Sequence, residues 1–141
     1  MSKIQLDSLR LVIAALETGF EEQAAYPELL TTRDGVIQRF EIAMDLSWKT
    51  TMRVLREVYG VQSSDVLTKK DIFRQAAKYQ LLNDPEAWFG HYEARNDTSH
   101  IYNSDIATQT FARARLFLAD ARLLLQRLKD VVRATWVNGV N

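Results

Sequence analysis

Apolar residues recur along this chain at alternating spacings of three and four, the period of one helix face, and nowhere alternate singly as a half-buried strand would. The first row is Leu6, Leu9, Ile13, Leu16 and Phe20. It predicts a helix ending near Tyr26-Pro27, because proline cannot continue a helix and constrains the residue before it. Thr31 or Thr32 is the expected cap of a second helix through Ile37, Phe40, Met44, Trp48, Leu55 and Val58, stopped by Gly60. Thr68 followed by Asp71 has the spacing of a capping box and opens a short helix through Ile72, Phe73, Ala76 and Tyr79. Asn83-Asp84-Pro85-Glu86 is another start signal, with Asp84 as cap, Pro85 at the first helical position and Glu86 at the positive end of the dipole. Asn103-Ser104-Asp105 marks the next break or cap, and Phe111, Ala114, Leu118, Ala121, Leu125, Leu128 and Val132 form the last row. The pattern predicts an all-α fold: an antiparallel up-and-down four-helix bundle with one short extra helix, a single domain over residues 1–141.

One stretch departs from the ordinary Lys and Glu surface. Arg95-Asn96-Asp97-Thr98-Ser99-His100-Ile101-Tyr102 gathers a guanidinium, an amide, hydroxyls, an imidazole and a phenol. On an ideal helix Arg95, Ser99 and Tyr102 form one stripe and Asn96, His100 and Asn103 the adjoining one, within about 140° of one face. Ala87, Gly90, Ala94 and Ile101 lie opposite, small or apolar groups that admit a close neighbour. The strip is therefore expected near the C-terminal end of the fourth helix, with His91 at its rim.

Composition narrows the chemistry. Eighteen basic and eighteen acidic residues give zero formal charge, so any anion site must be local. Residues 1–30 carry two basic and five acidic groups, whereas residues 111–133 carry six basic and two acidic ones. The absence of cysteine excludes disulfides, cysteine-ligated metal centres and a thiol nucleophile. With two histidines, a metal site would depend on carboxylates, and no metal or other cofactor is expected. No apolar run is long enough to span a membrane and no signal-peptide pattern opens the chain, so a soluble, cytoplasmic protein without membrane contact is expected.

His100 and Arg95 are the minimum pair for phosphodiester chemistry without a metal: an imidazole exchanges protons near neutral pH and a guanidinium holds a phosphate. Five positions apart, they differ by about 140° in direction and would flank a groove, as between two copies of the helix across a two-fold axis. One histidine would then act as base and its mate as acid. The same residues would otherwise satisfy polar groups and cap a helix end. Glu41 and Asp45, followed by Lys49, would position a base, contact a partner, or form a solvated face of weak ion pairs. Trp48 and Trp88 would stack on bases or belong to the core, the latter fitting their place in apolar rows. Tyr102 would face the core, contact substrate, or accept a transferred nucleotide. The basic positions of the last helix fit a solvated face or a cationic rim that gathers phosphates.

Arg95-Asn-x-x-x-His100-x-Tyr102 resembles the signature of the HEPN superfamily. Gln38 to Lys49, Asp71 to Ala76, and Trp88 to Tyr92 before the arginine are similar to one branch of it, the nucleotidyltransferase substrate-binding proteins, the likeness running from about residue 33 to 110. The resemblance implies a homodimeric helical bundle encoded beside a minimal nucleotidyltransferase. It implies either a substrate- or nucleotide-binding subunit of a two-component nucleotidyltransferase, or a metal-independent endoribonuclease toxin of a toxin–antitoxin pair. In the toxin case Arg95 and His100 are catalytic with Asn96 orienting, Ser99, Asn103, Glu41 and Asp45 contact substrate, and the partner inactivates the protein by adding AMP to Tyr102. The substrate would be an RNA, tRNA or mRNA. A third reading is a dimeric scaffold with the strip buried at its interface.

Overall fold

A computed structural model describes residues 4–137, with residues 136 and 137 described through their backbone alone. The described residues form five α-helices: α1 (Asp7–Ala25), α2 (Leu30–Glu57), α3 (Lys69–Lys78), α4 (Pro85–Asn96) and α5 (Ser104–Val137). Two 3-10 turns, Ser63–Asp65 and Asp97–His100, lie between them. Helix α2 packs on α1, α3, α4 and α5, and α5 packs also on α1 and α4. No helix among the described residues is long and apolar enough to cross a membrane.

The boundaries follow local chemistry. The Thr68 hydroxyl accepts from the Asp71 backbone N–H while the Asp71 carboxylate accepts from the Thr68 N–H, the reciprocal pair that opens α3. Asp84 accepts from the Glu86 N–H and Pro85 stands first in α4. Asn103 Oδ1 accepts from the N–H groups of Asp105 and Ile106 and so caps α5. The second helix differs from expectation: it begins at Leu30, and Thr32 lies inside it. The Thr32 hydroxyl donates backwards, to the carbonyls of Leu29 at 2.7 Å and Tyr26 at 3.1 Å, so it ties down the turn rather than capping α2. Gly60 has φ +68° and ends the path of α2, as its place in the sequence requires.

The helical rows meet in one core. Phe117 on α5 sits edge-on to Phe40 of α2 and Trp88 of α4, with ring centroids 5.1 and 5.6 Å away. Such T-shaped contacts suit the ring quadrupoles, and truncating Phe117 to alanine should cost about 3–5 kcal/mol. Phe73 carries α3 onto this centre by stacking on Trp88 at 5.7 Å. Trp88 is thus a core residue, and α2, α4 and α5 are fixed against one another behind the polar strip.

Candidate functional site

Helix α4 ends at Asn96, one turn earlier than a continuous strip requires, and the chain tightens into a 3-10 turn over Asp97–His100. In a 3-10 turn residues three apart eclipse, so the α-helical stripes expected across residues 95–103 do not persist. Thr98 turns inward and is buried, Ile101 is half-buried, and Asn96, Asp97, Ser99, His100, Tyr102 and Asn103 remain exposed. Tyr102 is 84% exposed, and its ring stands edge-on to His100 at 6.0 Å. The strip is a knuckle between α4 and α5, presented to solvent.

Arg95 does not share that exposure. Its Nε and Nη2 donate to Oδ1 and Oδ2 of Asp45 on α2, each at 3.0 Å, and Nη1 donates to the Thr98 hydroxyl at 3.0 Å. Glu41 Oε2, one turn earlier on α2, lies 3.3 Å from Nη1. The Thr98 hydroxyl in turn donates to the Arg95 carbonyl at 2.8 Å, closing a loop between the guanidinium and its own backbone. The hydrogen bonds to Asp45, with the charges of Asp45 and Glu41 behind them and burial opposing, raise the Arg95 pKa above its ordinary value. Glu41 and Asp45 therefore form no series with Lys49: they face α4 and fix its arginine. Asp45 occupies one of the two edges by which Arg95 could clamp a phosphate in two-pronged fashion, that of Nε and Nη2. Three of five guanidinium donors are hydrogen-bonded here, leaving one N–H on each of Nη1 and Nη2.

Around the knuckle the other expected residues divide. Asn103 commits its side-chain oxygen to the α5 cap. Ser99, Asn96 and His100 stand exposed beside it. Thr98 occupies a position that the sequence motif leaves variable, and its part in holding Arg95 is visible only once the turn is 3-10.

His91 is not at the rim. It is fully buried, with Nε2 2.7 Å from Asp120 Oδ2 and Nδ1 accepting from Arg113 Nε at 2.9 Å. Because a guanidinium can only donate, Nδ1 carries no proton, and Nε2–H donates to Asp120. Burial, the largest influence, pushes the His91 pKa down; hydrogen bonding to Asp120 opposes it and the Arg113 charge adds to it. Arg113 Nη2 also donates to the Ala87 carbonyl, and a methyl at Gly90 would collide with this guanidinium. The small residues of α4 thus admit an arginine side chain, not a close helix backbone.

Nor are the basic residues of α5 simply a solvated face. Arg113 ties α5 to α4, Arg122 pairs with Glu17 of α1 at 2.8 Å, Arg127 donates to the Gln80 carbonyl at 3.1 Å, and Arg115 lies over Phe20.

Comparison with known proteins agrees with the branch that the motifs resemble. A family model described as nucleotidyltransferase substrate binding protein like matches residues 4–130. The chain is 33% identical over 98 residues to a Haemophilus influenzae protein named "Probable ribonuclease HepT", a match spanning 68% of this chain and 66% of that relative, just short of two thirds of its length. Among solved structures it is similar to HI0074 of Haemophilus influenzae, described as the fold of a substrate binding domain of a nucleotidyltransferase, with a TM-score of 0.80 and 28% identity over 89% of this chain and 99% of that one. A crystallised protein of Thermus thermophilus is similar with a TM-score of 0.72 and 28% identity, covering 85% and 98% of the two chains.

Proposed function

Because this chain belongs to the family of nucleotidyltransferase substrate-binding-like proteins, we propose that it is a metal-independent endoribonuclease toxin that a partner nucleotidyltransferase neutralises. The observation that carries this reading is the knuckle itself. It exposes His100, Asn96, Ser99 and Tyr102 directly beyond an arginine braced by Asp45 and Thr98. RNA brings its own nucleophile, the 2′-hydroxyl. One His100 takes the 2′-hydroxyl proton, the 2′-oxygen bonds to phosphorus, and the bond to the 5′-oxygen breaks. The His100 of a second copy protonates that leaving oxygen, giving a cyclic phosphate and a free 5′-hydroxyl. The remaining Arg95 N–H groups stabilise charge on the phosphoryl oxygens, and Asn96 orients His100 or the substrate. A homodimer with the two knuckles facing across a two-fold axis supplies both histidines.

Arg95→Ala and His100→Ala should each abolish RNA cleavage with helicity by circular dichroism unchanged; cleavage that survives both contradicts the proposal. AMP transfer to the exposed Tyr102 hydroxyl is the proposed means of neutralisation. Co-expression with the partner enzyme should add one or more AMP masses to the wild type and none to Tyr102→Phe.

One observation favours the second reading, a non-catalytic nucleotide- or substrate-binding subunit. Asp45 already fills the Nε–Nη2 edge of Arg95, one of its two two-pronged edges. In that case nucleotide binds at the knuckle and RNA stays intact.

A further inference from the structure

One helical turn from the Arg95–Asp45 bridge stands a second, differently built cluster. Trp48 follows Asp45 by three residues on α2, and Tyr92 precedes Arg95 by three on α4, so each lies on the same face as its neighbour, about 4.5 Å along the axis. Trp48 and Tyr92 are half-buried. The Lys69 ammonium, at the start of α3, lies 4.6 Å from the Trp48 ring centre and 5.6 Å from that of Tyr92. Lys49 lies 5.6 Å from the same Trp48 ring. Both lysines are exposed.

The charges beside this cluster are arranged differently from those within it. Neighbouring cations have carboxylate partners: Lys70 pairs with Glu93 at 3.1 Å and Arg74 with Asp71 at 2.9 Å. Glu41 and Asp45, the acids closest along α2, are committed to Arg95. Lys49 and Lys69 converge on one indole with no ion pair among the described residues. Two like charges gathered on an aromatic platform, beside a site that handles phosphodiesters, call for an anion that also carries flat rings. Single-stranded nucleic acid is such a ligand: cationic groups track its backbone while aromatic side chains take its bases.

We propose that Lys69 and Lys49 over Trp48 form a flanking subsite for a single-stranded polynucleotide, holding a phosphate next to the one at the Arg95–His100 knuckle. The inference rests on the ribonuclease reading for its substrate class, and it extends the footprint from one phosphodiester to a strand running across α2 and the start of α3. Occupation of the subsite displaces lysine from the indole face, and the freed face accepts a base.

The test is binding of a 2′-O-methyl RNA oligonucleotide of about ten nucleotides, which cannot be cleaved, measured by anisotropy at several salt concentrations. Wild type, Lys69→Ala, Lys49→Ala and, as a control, Lys70→Ala are compared, with cleavage of the corresponding natural RNA run in parallel. Lys49 and Lys69 are exposed and Lys70 is half-buried, with a surface ion pair to Glu93, so each truncation leaves the core packing intact. Lys69→Ala should weaken binding several-fold and reduce the slope of log affinity against log salt by about 0.7, one phosphate contact on a single strand. Lys49→Ala should act in the same direction, and Lys70→Ala should change neither quantity. Unchanged affinity and slope in Lys69→Ala, or an equal loss in Lys70→Ala, overturns the subsite while cleavage by the wild type leaves the ribonuclease reading standing. A wild type that neither binds nor cleaves removes that reading, and the subsite with it.

Discussion

Arg95 of α4 and Asp45 of α2, fifty positions apart, are joined by two parallel N–H donations of 3.0 Å each. The pair is part-exposed, so its net contribution is set by geometry and screening rather than by bare Coulomb attraction. Asp45→Ala and Arg95→Ala should each lower stability in urea by about 1 kcal/mol, and the double variant by clearly less than the sum. Arg95→Lys cannot restore a two-pronged contact. Strictly additive losses would mean the bridge carries no coupling. In cleavage, Asp45→Ala should be slower by about ten- to hundredfold, because an unanchored guanidinium is misplaced in the reaction.

The buried imidazole gives the protein a pH dependence of definite sign. Burial holds the folded-state pKa of His91 below its ordinary value of 6.5. As pH falls past about 6.5 the unfolded chain takes up the proton first, so stability is complete above that pH and declines as pH drops towards the depressed folded value. Urea midpoints measured from pH 8 to pH 5 should fall more steeply for wild type than for His91→Gln. Parallel profiles would show that His91 ionises in the fold without cost.

Gln80 ends α3 in the left-handed region, with φ 63°, while the Leu81 N–H donates to the Ala76 carbonyl at 2.8 Å. For a residue with a Cβ that conformation costs about 1 kcal/mol or more, partly offset by the entropy a glycine adds to the unfolded chain. Gln80→Gly should therefore raise stability, by some tenths of a kcal/mol to about 1 kcal/mol. A lowered urea midpoint would show that the glutamine side chain contributes more than its backbone costs.

Features set by a few neighbouring residues were legible from the sequence. The Thr68/Asp71 box, the Asp84-Pro85 start and the Asn103 cap act within one turn, and the apolar rows place Phe40 and Trp88 inward whatever packs on them, whereas Phe117 stands outside the last row and is placed only by the packing of α5 on α2 and α4. What the sequence hid depends on partners far along the chain. Glu41, Asp45 and Lys49 have the spacing of a solvated ion-pair series, and only the approach of α4 turns the acids towards Arg95. His91 reads as one more polar residue of α4 until Arg113 and Asp120 close on it from α5. Their spacing of seven, along the edge of an apolar row, was the one signal of that closure. The shift from α to 3-10 after Asn96 leaves no mark in periodicity over so few residues, yet it buries Thr98 and exposes His100.

The ribonuclease reading meets its sharpest test when purified protein, shown by mass to carry no AMP, is incubated with total RNA and tRNA in excess chelator beside His100→Ala, and the products are resolved on a gel. Discrete fragments from the wild type and none from His100→Ala are expected; intact RNA from the unmodified wild type would contradict the reading and leave the nucleotide-binding subunit as the function of the site.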